Sequence, residues 1–150
     1  MIKLNYPDFN FRIRKDCNKY YIFDFIRKKF VKLTPEEWVR QHVLRYITEE
    51  LKYPPLLISV EEGHKKQDRL FRTDIVVYKR DMSPAMIIEC KSPEIKINQK
   101  TVDQAALYNT SKLAKFVALT NGLENIIIEN DFINSTHKLL ESYPSYTDLL

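Results

Sequence analysis

The chain has 150 residues, 44% hydrophobic and 12% aromatic, which supports one folded domain over residues 1–150 rather than a disordered chain. Only two glycines, with no Walker A or dinucleotide fingerprint, argue against a phosphate-cradling loop, and no apolar stretch is long enough to span a bilayer. The net charge of +4 is uneven: residues 1–32 carry nine Lys/Arg against three Asp/Glu, and residues 120–150 one Lys against five acids. That asymmetry fits a basic face for a polyanion, and an ordinary solvated surface as well. Cys17 and Cys90 form no CxxC and no signal peptide precedes them, which points to a reducing, cytoplasmic setting without membrane contact.

In chain order, residues 20–33 are aromatic and β-branched and predict one or two short strands. Thr34 then reads as an N-cap, Pro35 as the first helical residue and Glu37 as the partner that completes a capping box. Val39, Val43, Leu44, Ile47 and Leu51 recur at helical spacing, and Tyr53-Pro54-Pro55 stops the helix. A strand is predicted over 56–60, a polar turn over 61–68 and a β-hairpin over 71–91, ended by Ser92-Pro93. A helix over about 101–112, a strand over 115–120, a turn at Asn121-Gly122, a return strand over 125–129 and a weakly helical 131–141 complete the chain. The order suggests an α/β (mixed α+β) fold, a mixed central sheet flanked by helices.

The hairpin carries the chemistry. With its turn centred between Asp81 and Met82, facing residues have numbers summing to 163, so Asp74 falls opposite Glu89. Side chains alternate along a strand, so Glu89 and Lys91 share a face. Two carboxylates and an ammonium then converge, each costly to bury alone. Phosphodiester cleavage uses a divalent cation to offset charge and activate water, and Mg²⁺ takes oxygen ligands at about 2.1 Å. Asp74, Glu89 and the main-chain carbonyl of Cys90 are candidate ligands, and Lys91 is a candidate for orienting the water. The same three side chains also fit a plain ion pair on an exposed sheet. Gln104 and Tyr108 share one helix face, suited to DNA contact or to support of the site, or to ordinary packing. Lys65, Lys66, Arg69 and Arg72 form a basic patch able to track phosphates, though a solvated turn accounts for them too. His42, His64 and His137 are scattered and offer no zinc-ligand spacing, Cys90 reads as a small buried hydrophobe, and Trp38 as a core anchor.

Five segments in this order, residues 35–41 (PEEWVRQ), 72–74 (RTD), 89–93 (ECKSP), 103–109 (DQAALYN) and 119–122 (LTNG), resemble the PD-(D/E)xK nucleases. More closely, they resemble the N-terminal nuclease domain of type I restriction enzyme R subunits. The resemblance covers most of residues 20–130 and implies a restriction-endonuclease-like core and a metal-dependent DNA endonuclease. It implies Asp74 and Glu89 as metal ligands for Mg²⁺, with Mn²⁺ as a substitute, and Lys91 as the catalytic lysine. Gln104 and Tyr108 match the family's QxxxY element, Glu37 the acidic residue that the first helix brings to the metal site as part of the catalytic set, and Arg40 and Gln41 belong to that same helix motif and face the site. Thr73 stands where the superfamily name has Pro. The helicase domains that follow in such subunits are not among these residues, so ATP use and translocation are not carried over. Two further readings stay open: a catalytically silent nucleic-acid-binding module, and an accessory unit acting with separate helicase, methylase or specificity subunits. Pairing of two copies would let such a nuclease cut both strands, and no residue here decides it.

Overall fold

A computed structural model describes residues 1–66, 69–98 and 113–150. The chain opens with a three-stranded antiparallel sheet of β1 (Ile13–Asp16), β2 (Lys19–Asp24) and β3 (Lys29–Lys32). The sequence reading starts its strands at residue 20 and leaves out β1, which is exposed throughout and polar apart from Ile13. Its turn explains why it nevertheless pairs: Cys17 and Asn18 have φ of 43° and 63°, as the tight two-residue connection of a hairpin requires.

Helix α1 (Pro35–Arg45) begins as predicted, with Thr34 Oγ1 accepting the Glu37 N–H at 3.1 Å and Pro35 in the first turn. The capping box is only half made. The Glu37 carboxylate turns away from the Thr34 backbone toward Arg27, Arg40 and Gln41, because buried cations outbid a solvated amide for it. Val39, Val43, Leu44 and Ile47 are fully buried, the apolar stripe of the sequence. A π turn over Tyr46–Glu50 follows, and the Tyr53 N–H closes the helix on the Ile47 carbonyl at 2.8 Å.

The main sheet has six strands in chain order: β4 (Ile58–Lys66), β5 (Arg69–Tyr78), β6 (Pro84–Cys90), β7 (Phe116–Thr120), β8 (Asn125–Asp131) and β9 (Thr136–Leu140). All neighbours are antiparallel except β6 and β7, which run parallel. This is an α+β fold with a mixed central sheet, consistent with a restriction-endonuclease-like core. Ile75, Val77, Met86, Ile88, Cys90, Phe116, Ala118 and Ile127 meet the α1 stripe in one core, which also takes in Leu4, Tyr53 and Leu149. Val76, Ile87, Val117 and Leu119, on the alternate positions, are buried as well, which is why these strands read as continuous apolar runs.

Two expectations are corrected. The polar segment 61–66 is strand, paired from Glu62 with Thr73 to Lys66 with Arg69, and residues 55–57 before it form a 3₁₀ turn. As β4 is an edge strand, it needs no apolar run to pair. Residues 131–141 are not helical. Asp131 Oδ1 accepts the Ile133 and Asn134 N–H groups at 3.0 and 3.1 Å, turning the chain into the exposed edge strand β9. The predicted helix over 101–112, with Gln104 and Tyr108, lies outside the described residues. No helix among the described residues is long and apolar enough to cross a membrane.

Candidate active site

The hairpin register is the one read from the sequence. Ile75 pairs with Ile88, Val76 with Ile87 and Val77 with Met86, each summing to 163, and a shift enters only at Tyr78. One step beyond Ile75 and Ile88 the ladder opens, at Asp74 and Glu89. There the Asp74 carboxylate replaces a main-chain acceptor: its Oδ2 takes the Cys90 N–H at 2.7 Å. Its Oδ1 takes Nη2 of Arg40 at 2.7 Å. Lys91 Nζ donates to Glu89 Oε1 at 2.9 Å, and the Lys91 N–H holds the Thr120 carbonyl at 2.8 Å, tying the lysine to β7.

From α1, Glu37, Arg40 and Gln41 reach the same region. Arg40 binds Glu37 Oε2, and its Nη2 also reaches Glu36 at 3.1 Å. Gln41 Nε2 donates to Glu37 Oε1 at 2.8 Å and to Asp24 Oδ2 at 2.7 Å. Arg27, in the β2–β3 turn, gathers Asp24, Glu37 and Glu61, with its Nε 2.7 Å from Asp24 and its Nη2 2.6 Å from Glu37. Among the described residues, six carboxylates (Asp24, Glu36, Glu37, Glu61, Asp74 and Glu89) are thus linked by the cations Arg27, Arg40 and Lys91.

Burial and the neighbouring charges show in the protonation equilibria. Burial, and then the Asp74 charge, push Glu89 up to about 7, against the pull of Lys91. Burial opposes the Lys91 charge, but Glu89 and Asp74 outweigh it and its pKa lies above the ordinary value. Arg40 follows the same pattern, with Asp74 and Glu37 overcoming its burial. Burial drives the Cys90 thiol well up, so it stays protonated and is no nucleophile.

Three side-chain atoms of this cluster are buried without a hydrogen-bond partner among the described groups: Arg40 Nε, Gln41 Oε1 and Glu89 Oε2. Of these, Glu89 Oε2 lies beside a second carboxylate. A buried carboxylate oxygen in that position is met either by a proton or by a cation. Among the described residues no three His, Cys, Asp or Glu side chains are grouped to hold a metal on their own. A hard cation such as Mg²⁺ needs only one or two carboxylates, since it retains several waters, and the Asp74/Glu89 pair fits that demand.

Asp74, Glu89, Lys91, Glu37, Arg40 and Gln41 are therefore brought into one electrostatic cluster. Arg72 is placed in β5, opposite Gly63 and two residues before Asp74. At Cys90 it is the main-chain N–H that meets Asp74. Trp38 packs half-buried against the core, with Nε1 donating to the Ile2 carbonyl at 3.1 Å. The sequence does not single out Asp24, Arg27 or Glu61. Asp24 leaves one signal, an acid inside an aromatic run, and it is fully buried. Glu61 leaves none. It lies across from Asp74 with φ of 55°, in a ladder that pairs Val60 with Ile75 and Glu62 with Thr73 and skips the step between. A non-glycine residue held there within a strand is strained, and such strain gathers at functional sites.

The family model of the type I restriction enzyme R protein N terminus matches residues 35–144. Among solved structures, the chain is similar to a fragment described as an HsdR subunit of a type I restriction enzyme from Vibrio vulnificus YJ016, at 23% identity and a TM-score of 0.54. That similarity covers 78% of this chain and 24% of the other, so the chain spans about a quarter of that structure's length. At this identity it speaks for the fold alone. No curated protein matches the chain. Since the family match takes in α1, the hairpin and the strands β7 to β9, the chain belongs to the family of type I restriction enzyme R protein N termini.

Proposed function

We propose that the chain is a metal-dependent endodeoxyribonuclease unit of a restriction-type enzyme, hydrolysing phosphodiester bonds in DNA. The observation that carries this reading is Glu89 Oε2, buried beside Asp74 and Lys91 with no partner among the described groups. Asp74 and Glu89, with the Cys90 main-chain carbonyl, would hold Mg²⁺, with Mn²⁺ as a substitute. When bound, the ion supplies an acidified water and offsets charge on the phosphate. Lys91 orients that water and stabilises charge developing on phosphorus, held in place by its bond to Glu89. Glu37 and Gln41 set the position of Arg40, which in turn orients Asp74. Arg72, Gln104 and Tyr108 are proposed as DNA contacts or supports of the site. Specificity, methylase and helicase subunits are the proposed partners, in the cytoplasm.

A second reading is favoured by one observation: Arg40 already neutralises Asp74 and Glu37, as in a silent DNA-binding or accessory module. Supercoiled plasmid incubated with Mg²⁺ or Mn²⁺ separates the two. Nicking by wild type and none by Lys91→Ala is expected of the enzyme. Absence of nicking with either metal, together with retained DNA binding, would leave the silent module.

A further inference from the structure

The outer face of the small N-terminal sheet is built differently from a plain solvated surface. Its register sets Arg14 opposite Tyr21, Tyr21 opposite Lys32 and Phe23 opposite Phe30. The Phe23 N–H bonds the Arg12 carbonyl at 2.9 Å, adding Arg12 to that face. Facing residues in a ladder lie on the same side of the sheet. Ile22 and Asp24, on the alternate positions, are buried against the body of the protein. The outer face therefore presents Arg12, Arg14, Lys19 and Lys32 with three aromatic rings, and one acid, Asp16, at the distal turn.

The arginines are not loose. The Arg12 guanidinium lies 4.6 Å from the Phe23 ring centroid and that of Arg14 lies 4.3 Å from the Phe30 centroid. Stacking of this kind orders a guanidinium while leaving its N–H edge open, the edge that recognises phosphate. Among the described residues, none of the four cations is ion-paired with a carboxylate. The inner end of the same sheet is joined to the carboxylate cluster, because Arg27 in its second turn binds Asp24, Glu37 and Glu61. A row of uncommitted cations thus runs up to a cluster of carboxylates.

We propose that this face is the platform on which the sugar–phosphate backbone of duplex DNA lies, with the carboxylate cluster receiving the phosphate to be cut. The proposal rests on the nuclease reading and adds to it the route by which DNA approaches. Its charge selects a polyanion. The rings are covered by guanidinium groups and are not offered to unstacked bases, which selects duplex over single strand.

Binding of a fluorescent duplex is measured in Ca²⁺ over a range of salt, for wild type and for Arg12→Gln/Arg14→Gln/Lys32→Gln. The triple variant is expected to bind about 10–100-fold more weakly, with a salt slope lower by about 2–3, since each lost phosphate contact removes about one unit. All three positions are exposed, so folding is expected to survive, and an unchanged melting midpoint and Mn²⁺ response check it. Duplex affinity and salt slope equal to wild type overturn the platform and leave the nuclease reading standing. A larger loss for single-stranded than for duplex DNA overturns the choice of occupant. Wild type that neither binds duplex nor nicks plasmid overturns both.

Discussion

Arg40 donates to Asp74 at 2.7 Å from inside the protein, and both side chains are buried. Glu37 shares the same guanidinium, so an internal cation stands where two carboxylates converge. A metal ion bound by Asp74 would compete with it. Arg40→Met is expected to lower metal-free stability by about 3–5 kcal/mol, the usual cost of leaving buried charges without a partner. Mn²⁺ should then raise the melting midpoint of the variant more than that of wild type. Thermal unfolding with and without Mn²⁺ reads both effects, and equal Mn²⁺ responses would show that guanidinium and metal occupy separate places.

Glu89→Gln should act in the opposite direction. The carboxylate is buried with one oxygen unsatisfied among the described groups, and an amide of the same shape has no charge to desolvate. A gain of about 1–2 kcal/mol in metal-free urea unfolding is expected, together with loss of stabilisation by Mn²⁺. A variant less stable than wild type would mean that the Lys91 pair outweighs the burial of Glu89.

His42 should make the protein acid-sensitive. Burial lowers its pKa below 6.5, while its bond to the Trp38 carbonyl and the nearby Asp8 oppose the shift. The ring packs 4.2 Å from Trp38 and 4.7 Å from Phe11. With the folded pKa lowered, the unfolded chain binds more protons below 6.5, so this contribution is present above 6.5 and is lost as pH falls through that window. His42→Phe keeps the aromatic packing and cannot titrate. Its stability relative to wild type, measured by urea unfolding, is expected to improve on going from about pH 7.5 to about pH 5.5. A pH-independent difference would count against His42 as the source.

Gly122 closes the β7–β8 turn at φ of 84°, where a Cβ would come within 2.8 Å of Leu4 Cδ2. The same turn holds the N-terminal segment, since the Asn5 N–H bonds the Gly122 carbonyl and Asn5 Nδ2 the Leu123 carbonyl, both at 2.8 Å. Gly122→Ala is expected to cost about 1–2 kcal/mol through backbone strain and displacement of Leu4. A melting curve that overlays wild type would show that Leu4 yields freely.

What the sequence discloses is local in character. Asp74 and Glu89 are joined by one hairpin, so alternation and a turn position suffice to bring them together, and the register of three pairs agrees. Thr34 and the apolar stripe of α1 likewise depend on neighbours within a few residues. Arg27 and Glu61 are different. Their meeting is decided by how the small sheet docks against β4, and nothing in either one's neighbours encodes that contact. Strand β9 is hidden for another reason. An edge strand buries little, so its composition carries no alternation. Half of the capping box goes astray because Glu37 has two uses, and only the tertiary arrangement decides between them.

The left-handed backbone at Glu61 has a consequence for engineering the protein. Glycine adopts that conformation freely, whereas another residue gives up about 1 kcal/mol there. Glu61→Gly would relax the chain locally and at the same time strip Arg27 of one of its three carboxylates. Relief of backbone strain and order around Arg27 are therefore expected to pull in opposite directions at residue 61, where a more heat-resistant variant would carry a looser carboxylate cluster.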